Sequence, residues 1–169
     1  MANFIDATYF VDDLTFPLST QASVIAQQTR LIIGYEREYL EKVLGYSFCK
    51  AFLDGLAAVV VEPRWEKLRD GDEYKDMLSY LRKWKGFKYT ESNIKKSPIA
   101  YYVYFYFLGH KATDVGANGE TVAVSKDFKP VSNIGRAVRV WNKMVEQNLE
   151  LYLFLKDKAN VYPEYDVNA

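Results

Sequence analysis

Reactive sulfur and imidazole groups are scarce in this sequence of 169 residues, which contains one cysteine, Cys49, and one histidine, His110. A single cysteine excludes an internal disulfide, and one residue of each type cannot supply a soft-metal site of the usual spacing. Cys49 lies among aromatic residues and is predicted to be a small buried hydrophobe. His110 is predicted to cap a helix or lie at the surface. We therefore expect no enzyme: no catalytic residue, metal site or cofactor is predicted.

The sequence also lacks net charge, phosphate-binding motifs and a targeting segment. Its 22 lysines and arginines balance 22 aspartates and glutamates, whereas a dedicated nucleic-acid binder usually has a basic excess. No Walker or GxGxxG pattern occurs. The N-terminus has no basic start followed by an apolar block, which predicts an intracellular setting. The acidic run 70–73 lacks the remaining ligands of a calcium loop and is predicted to be a turn.

Aromatic residues, by contrast, are abundant at 16%, and six of them fall between Tyr101 and Phe107. This uncharged stretch is too short for a membrane span, which needs about 20 apolar residues. Ser97 is a suitable N-cap and Pro98 suits the first helical position, so a helix of about 12 residues is predicted. A helix that is apolar on every face belongs in the centre of a fold. A buried strand is the alternative.

The segments before this helix show alternating helical and extended patterns. A first helix is predicted to be capped by Ser19 or Thr20 and to end before Gly45. Its apolar stripe consists of Ile25, Ile32, Tyr35, Tyr39 and Val43, and its predicted solvated residues are Glu36, Arg37, Glu41 and Lys42. A short helix is predicted over residues 46–57. Residues 62–80 are predicted to contain a helical turn, a tight turn and another short helix, and residues 81–93 a strand or extended loop.

A long helix is predicted near the C-terminus, from a cap near Ser132 to about Lys158. Its heptad-like stripe, suited to packing on another helix, consists of Ile134, Val138, Trp141, Val145, Asn148, Tyr152 and Leu155. Asn148 is a polar residue within that stripe and is expected to set its register. The Asn118-Gly119 pair predicts a long loop or hairpin over residues 113–130, and Pro163 predicts an extended tail over residues 159–169.

These patterns predict one mainly α domain over residues 1–169. We expect a helical bundle of four to five helices, with a central buried aromatic helix, a long C-terminal helix and a possible small β-hairpin. Residues 1–18 are expected to be irregular.

Two groups of basic residues are candidates for contact with a partner or a nucleic acid. The segment 82–96 interleaves cations with aromatic rings, which is typical of single-strand binders. Its alternation also fits a solvated edge whose apolar residues point inward. The second group, on the last helix, is expected to balance Glu146 and Glu150 at helical spacing. The candidates are Arg82, Lys83, Trp84, Lys85, Lys88, Lys95, Lys96, Arg136, Arg139 and Lys143.

The order of several segments resembles a known family. The segments are "YEREYLEKVLGYSFCKAFLDGL", "WKGF", "SPIAYYVYFYFL", "TDVG", "RAVRVWNKMVE" and "YPEY". Together, over residues 20–165, they resemble the small head-completion, or head–tail connector, adaptors of tailed bacteriophages, especially versions carried by prophages of gut bacteria. The resemblance implies a ring of copies between the portal protein and a tail or stopper protein. It implies a place in the virion, with assembly in the host cytoplasm, and no reaction, cofactor or membrane.

Overall fold

The computed structural model describes residues 3–16, 20–112 and 134–165, and only the backbone of residues 110–112. Within these ranges the chain forms five α-helices and four short β-strands. The helices are α1 (Ala22–Leu44), α2 (Tyr46–Ala57), α3 (Pro63–Asp70), α4 (Pro98–Ala112) and α5 (Ile134–Asp157). The strands are β1 (Asp72–Lys75), β2 (Leu81–Trp84), β3 (Tyr89–Glu91) and β4 (Ile94–Lys96). The predicted mainly α fold with a small hairpin is confirmed.

Helix α4 lies at the centre, because α1 packs on one side of it and α5 on another. The Ser97 hydroxyl accepts a hydrogen bond from the Ile99 backbone N–H at 3.1 Å, so the predicted cap is confirmed. Among residues 98–109 of this helix, nine are buried: Pro98, Ile99, Ala100, Tyr101, Tyr102, Val103, Tyr104, Phe107 and Leu108. The aromatic run therefore forms core in this structure, as its uniform apolarity predicts.

Helix α1 ends as expected but begins later. Gly45 has φ +76° and donates its backbone N–H to the Glu41 carbonyl, which closes the helix at a residue that tolerates this conformation. At the other end Gln21 precedes the first helical residue, and neither it nor Thr20 caps α1 by a side-chain hydrogen bond. Helix α2 begins directly after Gly45 and buries Cys49, as predicted.

Two antiparallel hairpins connect α3 to α4. In the first, β1 pairs with β2 so that Asp72 lies opposite Trp84; in the second, Tyr89 lies opposite Lys96. The short helix predicted before residue 80 is therefore wrong, since residues 72–75 form a strand. Gly71, with φ +101°, makes the tight entry to β1, and a Cβ there would lie 2.3 Å from the Trp84 carbonyl oxygen.

The N-terminal segment contains two single 3₁₀ turns and packs into the core despite its irregular backbone. The Phe16 ring lies 4.9 Å from Phe10 and 4.0 Å from Phe107, measured between ring centroids. The Tyr104 hydroxyl donates a hydrogen bond to the Thr15 carbonyl at 3.0 Å. This segment thus ties one side of α4 to the rest of the domain.

Glu36 is buried rather than solvated, which corrects the prediction for α1. Its carboxylate accepts hydrogen bonds from the backbone N–H groups of Phe4 at 2.9 Å and Ile5 at 3.2 Å. Burial raises the pKa of Glu36, and these hydrogen bonds oppose the shift without cancelling it. The helical stripe did not reveal this role, because the donors come from a segment more than thirty residues away.

The C-terminal tail differs from the extended segment predicted, because residues 158–161 and 163–165 form turns. The Tyr162 ring is buried, and its hydroxyl donates a hydrogen bond to the Arg64 carbonyl at 2.7 Å. Arg64 also pairs with Glu164 at 3.0 Å. The predicted loop over 113–130, the caps Ser19 and Ser132, the His110 side chain and residues beyond 165 lie outside the described part of the chain.

Within the described ranges, none of the helices combines the length and the apolarity needed to cross a membrane.

Candidate subunit interface

Helix α5 is apolar on two faces, and only one of them packs within this chain. The inner face buries Val140, Met144, Leu151, Phe154 and Leu155. The heptad-like stripe predicted from the sequence mostly faces solvent instead: of its members only Leu155 is buried, and Asn148 is half-buried. Periodicity identifies an apolar face but not which of two such faces meets the core, so this part of the prediction is corrected.

We call the outer face the α5 stripe and define it as Val138, Trp141, Val145, Leu149 and Tyr152. Their exposed fractions range from 37% to 57%. They recur at three- and four-residue spacings, so they form one continuous row on the helix. Ile134, one turn before the stripe, is also exposed. A contiguous apolar row on the surface of a folded domain is a candidate for a protein–protein contact, especially where neighbouring rings enlarge it.

Half-buried aromatic rings extend the α5 stripe onto the neighbouring helices. The Trp141 ring lies 4.7 Å from the Phe105 ring on α4, between centroids. Phe105 contacts Tyr106, whose ring stacks on Tyr35 of α1 at 4.4 Å and an interplanar angle of 14°. Asn148, at the edge of the stripe, accepts a hydrogen bond from the Tyr39 hydroxyl, which ties α5 to α1. The aromatic segment therefore contributes both to the core and to the border of this surface.

A second exposed apolar surface lies at the end of the β1–β2 hairpin. We call it the hairpin tip and define it as Met77, Leu78, Tyr80 and Leu81, whose exposed fractions range from 62% to 77%. The sequence does not reveal this surface, because its pattern predicts a helix that includes residues 77–80 and an extended segment that begins at Leu81. The signal that was available is the sequence "DMLSYL", an apolar turn where polar residues are usual.

Asp76 fixes the backbone of the hairpin tip. Its Oδ1 accepts hydrogen bonds from the N–H groups of Leu78 and Tyr80, both at 2.9 Å. Its backbone N–H donates to the Tyr80 carbonyl, and its Oδ2 pairs with Arg82 at 3.1 Å. Burial would raise the pKa of Asp76, but these donors lower it below its usual value. The exposed apolar residues are thus held on an ordered turn, which lowers the entropy cost of docking them.

Two of the three aromatic residues of the basic segment 82–96 point into the core, and the third, Tyr89, is half-buried with Lys85 over its ring. Trp84 is 1% exposed, and its indole Nε1–H donates to the Leu68 carbonyl at 2.9 Å. The Phe87 ring is also buried and lies 5.5 Å from the Trp84 ring, between centroids. Stacking of a nucleic-acid base on either ring would require the hairpins to open. This geometry agrees with the solvated-edge interpretation of the segment.

Most cations of that segment face carboxylates. Lys85 and Lys96 both contact Glu91, at 2.8 and 2.5 Å, and their hydrogen bonds lower the Glu91 pKa to about 2. Lys88 lies 4.0 Å from Asp70, and Lys95 lies 3.8 Å from Asp6. Lys83 is exposed and makes no ion pair with the described residues. Because these pairs are largely exposed, each contributes little to stability, but they neutralise the basic surface.

The second basic group holds the N-terminal segment instead of balancing Glu146 and Glu150. Lys143 forms an ion pair with Asp13, and the Arg136 guanidinium donates to the Asp13 carbonyl at 2.9 Å. The hydrogen bond from Lys143 lowers the Asp13 pKa. Arg139 lines the same cavity of about 350 Å³. The predicted spacing on α5 is correct, but tertiary packing brings a closer carboxylate from residues 12–13, which corrects the expected pairing.

No reactive constellation is found in the described part of the chain. A cavity of about 390 Å³ lies between the N-terminal segment, α1 and α2. Glu36 lines this cavity, and burial raises its pKa. Both Glu36 oxygens already accept backbone hydrogen bonds. Burial raises the Cys49 pKa to about 11, so its thiol is protonated at neutral pH. Among the described residues, no group of three or more His, Cys, Asp or Glu could hold a metal ion.

Comparison with known proteins returned no match: no family model, no curated protein and no solved structure resembles this chain closely enough to be reported.

Proposed function

We propose that this protein is a structural subunit that assembles with copies of itself. The observation that supports this proposal is the α5 stripe, an exposed apolar row on a helix whose opposite apolar face is already buried. A helix that is apolar on two faces needs two partners, and one of them is the core of its own chain. The described part of the chain supplies no second partner, which favours another molecule in that place.

We further propose that the assembly is the head–tail connector of a tailed phage or prophage, with a ring of copies between the portal and the tail or stopper protein. The sequence resemblance over residues 20–165 supports this assignment. The mainly helical fold agrees with what that resemblance implies. In this role the protein acts by binding its neighbours in the ring. It assembles in the host cytoplasm and remains in the virion.

The test is a double substitution in the α5 stripe, Val145→Glu with Leu149→Glu. Two buried charges would oppose association, so we expect the dissociation constant between copies to rise about tenfold or more. Both side chains are about half exposed, so the folded monomer should keep its thermal midpoint. Light-scattering mass against protein concentration measures the association. The matched control is Val59→Glu, an exposed valine in the α2–α3 loop.

A wild-type protein that stays monomeric at the highest attainable concentration, with and without a portal protein, would refute self-assembly. A double variant that associates as well as wild type would show that the α5 stripe is not the surface that copies use.

The alternative function is a nucleic-acid-binding module that uses the segment 82–96. It now depends on the cations and the half-buried Tyr89, since Trp84 and Phe87 are buried. Binding to phosphates weakens steeply with salt, whereas association through apolar side chains does not. We therefore expect the association between copies to persist between low and high salt, and a single-stranded oligonucleotide to bind weakly. Tight oligonucleotide binding that falls steeply with salt and with Lys83→Glu would support the alternative instead.

A further inference from the structure

We infer that the hairpin tip of one copy docks on the α5 stripe of the next copy, so that the contact between copies is head-to-tail. This inference rests on the proposed self-assembly and specifies its geometry. The occupant of the stripe is a second copy of this chain, and the part of that copy that touches it is the turn from Met77 to Leu81.

The two surfaces lie on opposite sides of α5. The hairpin packs against the side of α5 that carries Phe154, whose ring lies 6.2 Å from Tyr74 and 6.5 Å from Trp84, between centroids. Tyr152 of the stripe precedes Phe154 by two residues, which places it about 160° around the helix. A subunit with two different adhesive surfaces on opposite sides is suited to a heterologous contact, and such contacts close into rings when the rotation allows.

The hairpin tip lies near the C-terminal end of α5. Lys75 and Leu81, at the outer ends of β1 and β2, line a surface recess together with Asp157, the last residue of the helix, and Val161. The residues of the turn itself, 77–80, are highly exposed. The tip is therefore available to a neighbouring copy.

Coverage of the exposed apolar residues also favours this arrangement over a two-fold dimer. The α5 stripe runs roughly 21 Å and is about 10 Å wide, or roughly 200 Å², so it covers only part of the roughly 800 Å² that each partner of a stable pair usually buries. A two-fold contact between stripes would have to find the remaining area elsewhere. That dimer would also leave both hairpin tips uncovered. A head-to-tail ring covers both surfaces of every copy and gives each copy two contacts.

The charges beside the two surfaces are compatible with this contact. Lys75 and Lys83 flank the hairpin tip and are exposed; Lys83 lies opposite Glu73 on β1, and Lys75 makes no ion pair with a described carboxylate. Glu146, next to Val145 of the stripe, is exposed and pairs with no described cation. The nearby Arg139 faces the cavity that contains Asp13.

The experiment places one reactive cysteine on each surface in separate proteins. Leu78→Cys and a differently tagged Val145→Cys are mixed at equal concentration and treated with a short bis-maleimide. Cys49 remains in place, because its buried thiol is unreactive. We expect cross-linked heterodimers to exceed both homodimers about tenfold. Val59→Cys, mixed with either protein, is the matched control for random collision.

A dominant heterodimer would support the head-to-tail contact, and the other cross-linking results would contradict it. A dominant Val145→Cys homodimer would mean that stripe meets stripe in a two-fold dimer, and would overturn it. Cross-linking no better than the Val59→Cys control would also overturn it, including the case in which another part of the same chain covers the stripe. If the wild-type mass still rises with concentration in light scattering, only the inference fails; if it does not, the proposed self-assembly fails as well.

A second arm does not depend on cross-linking. A tip variant, Met77→Glu with Leu78→Glu, keeps Asp76 and therefore the turn, while the stripe variant keeps its tip. We expect each variant alone to be monomeric and their mixture to form a one-to-one dimer, since one intact tip and one intact stripe remain. A mixture that stays monomeric, while wild type assembles under the same conditions, would contradict the head-to-tail contact.

Discussion

Replacement of Trp84 by alanine is expected to lower the free energy of unfolding by about 3 to 5 kcal/mol. The indole is fully buried between Phe87 and Phe154, and its N–H satisfies the Leu68 carbonyl. Truncation would leave a cavity and an unpaired buried acceptor. Chemical denaturation followed by far-ultraviolet circular dichroism measures the change.

Trp141→Ala is the matched control for this prediction. Trp141 is 39% exposed and contacts mainly the Phe105 ring, so we expect a loss of about 1 kcal/mol. The same variant should weaken association between copies, because Trp141 belongs to the α5 stripe. Equal destabilisation by the two substitutions would contradict the assignment of Trp84 to the core and Trp141 to an interface. It would also reopen the nucleic-acid interpretation of the segment 82–96.

Glu36→Ala is expected to lower the free energy of unfolding by about 2 to 4 kcal/mol, because the N–H groups of Phe4 and Ile5 would lose their acceptor. Glu36→Gln should cost less than Glu36→Ala. An amide oxygen in the position of Oε2 keeps an acceptor for both N–H groups, at the distances of 2.9 and 3.2 Å seen for the carboxylate. Part of the loss remains, because the amide NH₂ group replaces Oε1, which lies 3.0 Å from the Phe4 nitrogen. Comparing the two variants separates the effect of losing the hydrogen-bond acceptor from the effect of losing the negative charge.

The pH dependence of Glu36 provides an independent measurement. Burial raises its pKa above the ordinary value of 4.5, so the folded protein takes up this proton at a higher pH than the unfolded chain. The resulting stability is fully present below the unfolded-state pKa and is lost as the pH rises through the folded-state pKa. Relative to Glu36→Gln, the wild type should therefore gain stability on acidification from neutral pH to about 4.5. A difference between the two proteins that does not change with pH would contradict a buried carboxyl.

Local sequence patterns are sufficient to predict some elements of this fold but not the contacts of Glu36. The sequence predicts α4 well, since the Ser97-Pro98 start and the uncharged aromatic run both act within a few residues. It predicts the end of α1 for the same reason, through Gly45. It does not predict that Glu36 is buried, because its partners approach from the N-terminal segment.

The candidate subunit interface was also predicted only in part. Four of the five members of the α5 stripe belong to the row that the sequence predicts to pack on a helix; Leu149 does not, because the prediction places Asn148 at that turn. Their exposure was not foreseen, because a second apolar row, through Val140 and Met144, meets α4 instead. The hairpin tip was missed entirely, since short strands flanking an apolar turn have no strong periodic signal.

The sequence by itself determined the mainly α class, the buried central helix, the buried thiol of Cys49 and one apolar row of α5. Each of these follows from caps, side-chain periodicity and composition, which are properties of neighbouring residues. Only the tertiary structure decided which row of α5 faces solvent, which carboxylates neutralise the basic groups, and that Met77 and Leu78 project on an ordered turn. These features depend on contacts between segments that are far apart in the chain, and no local pattern encodes which distant segments will meet.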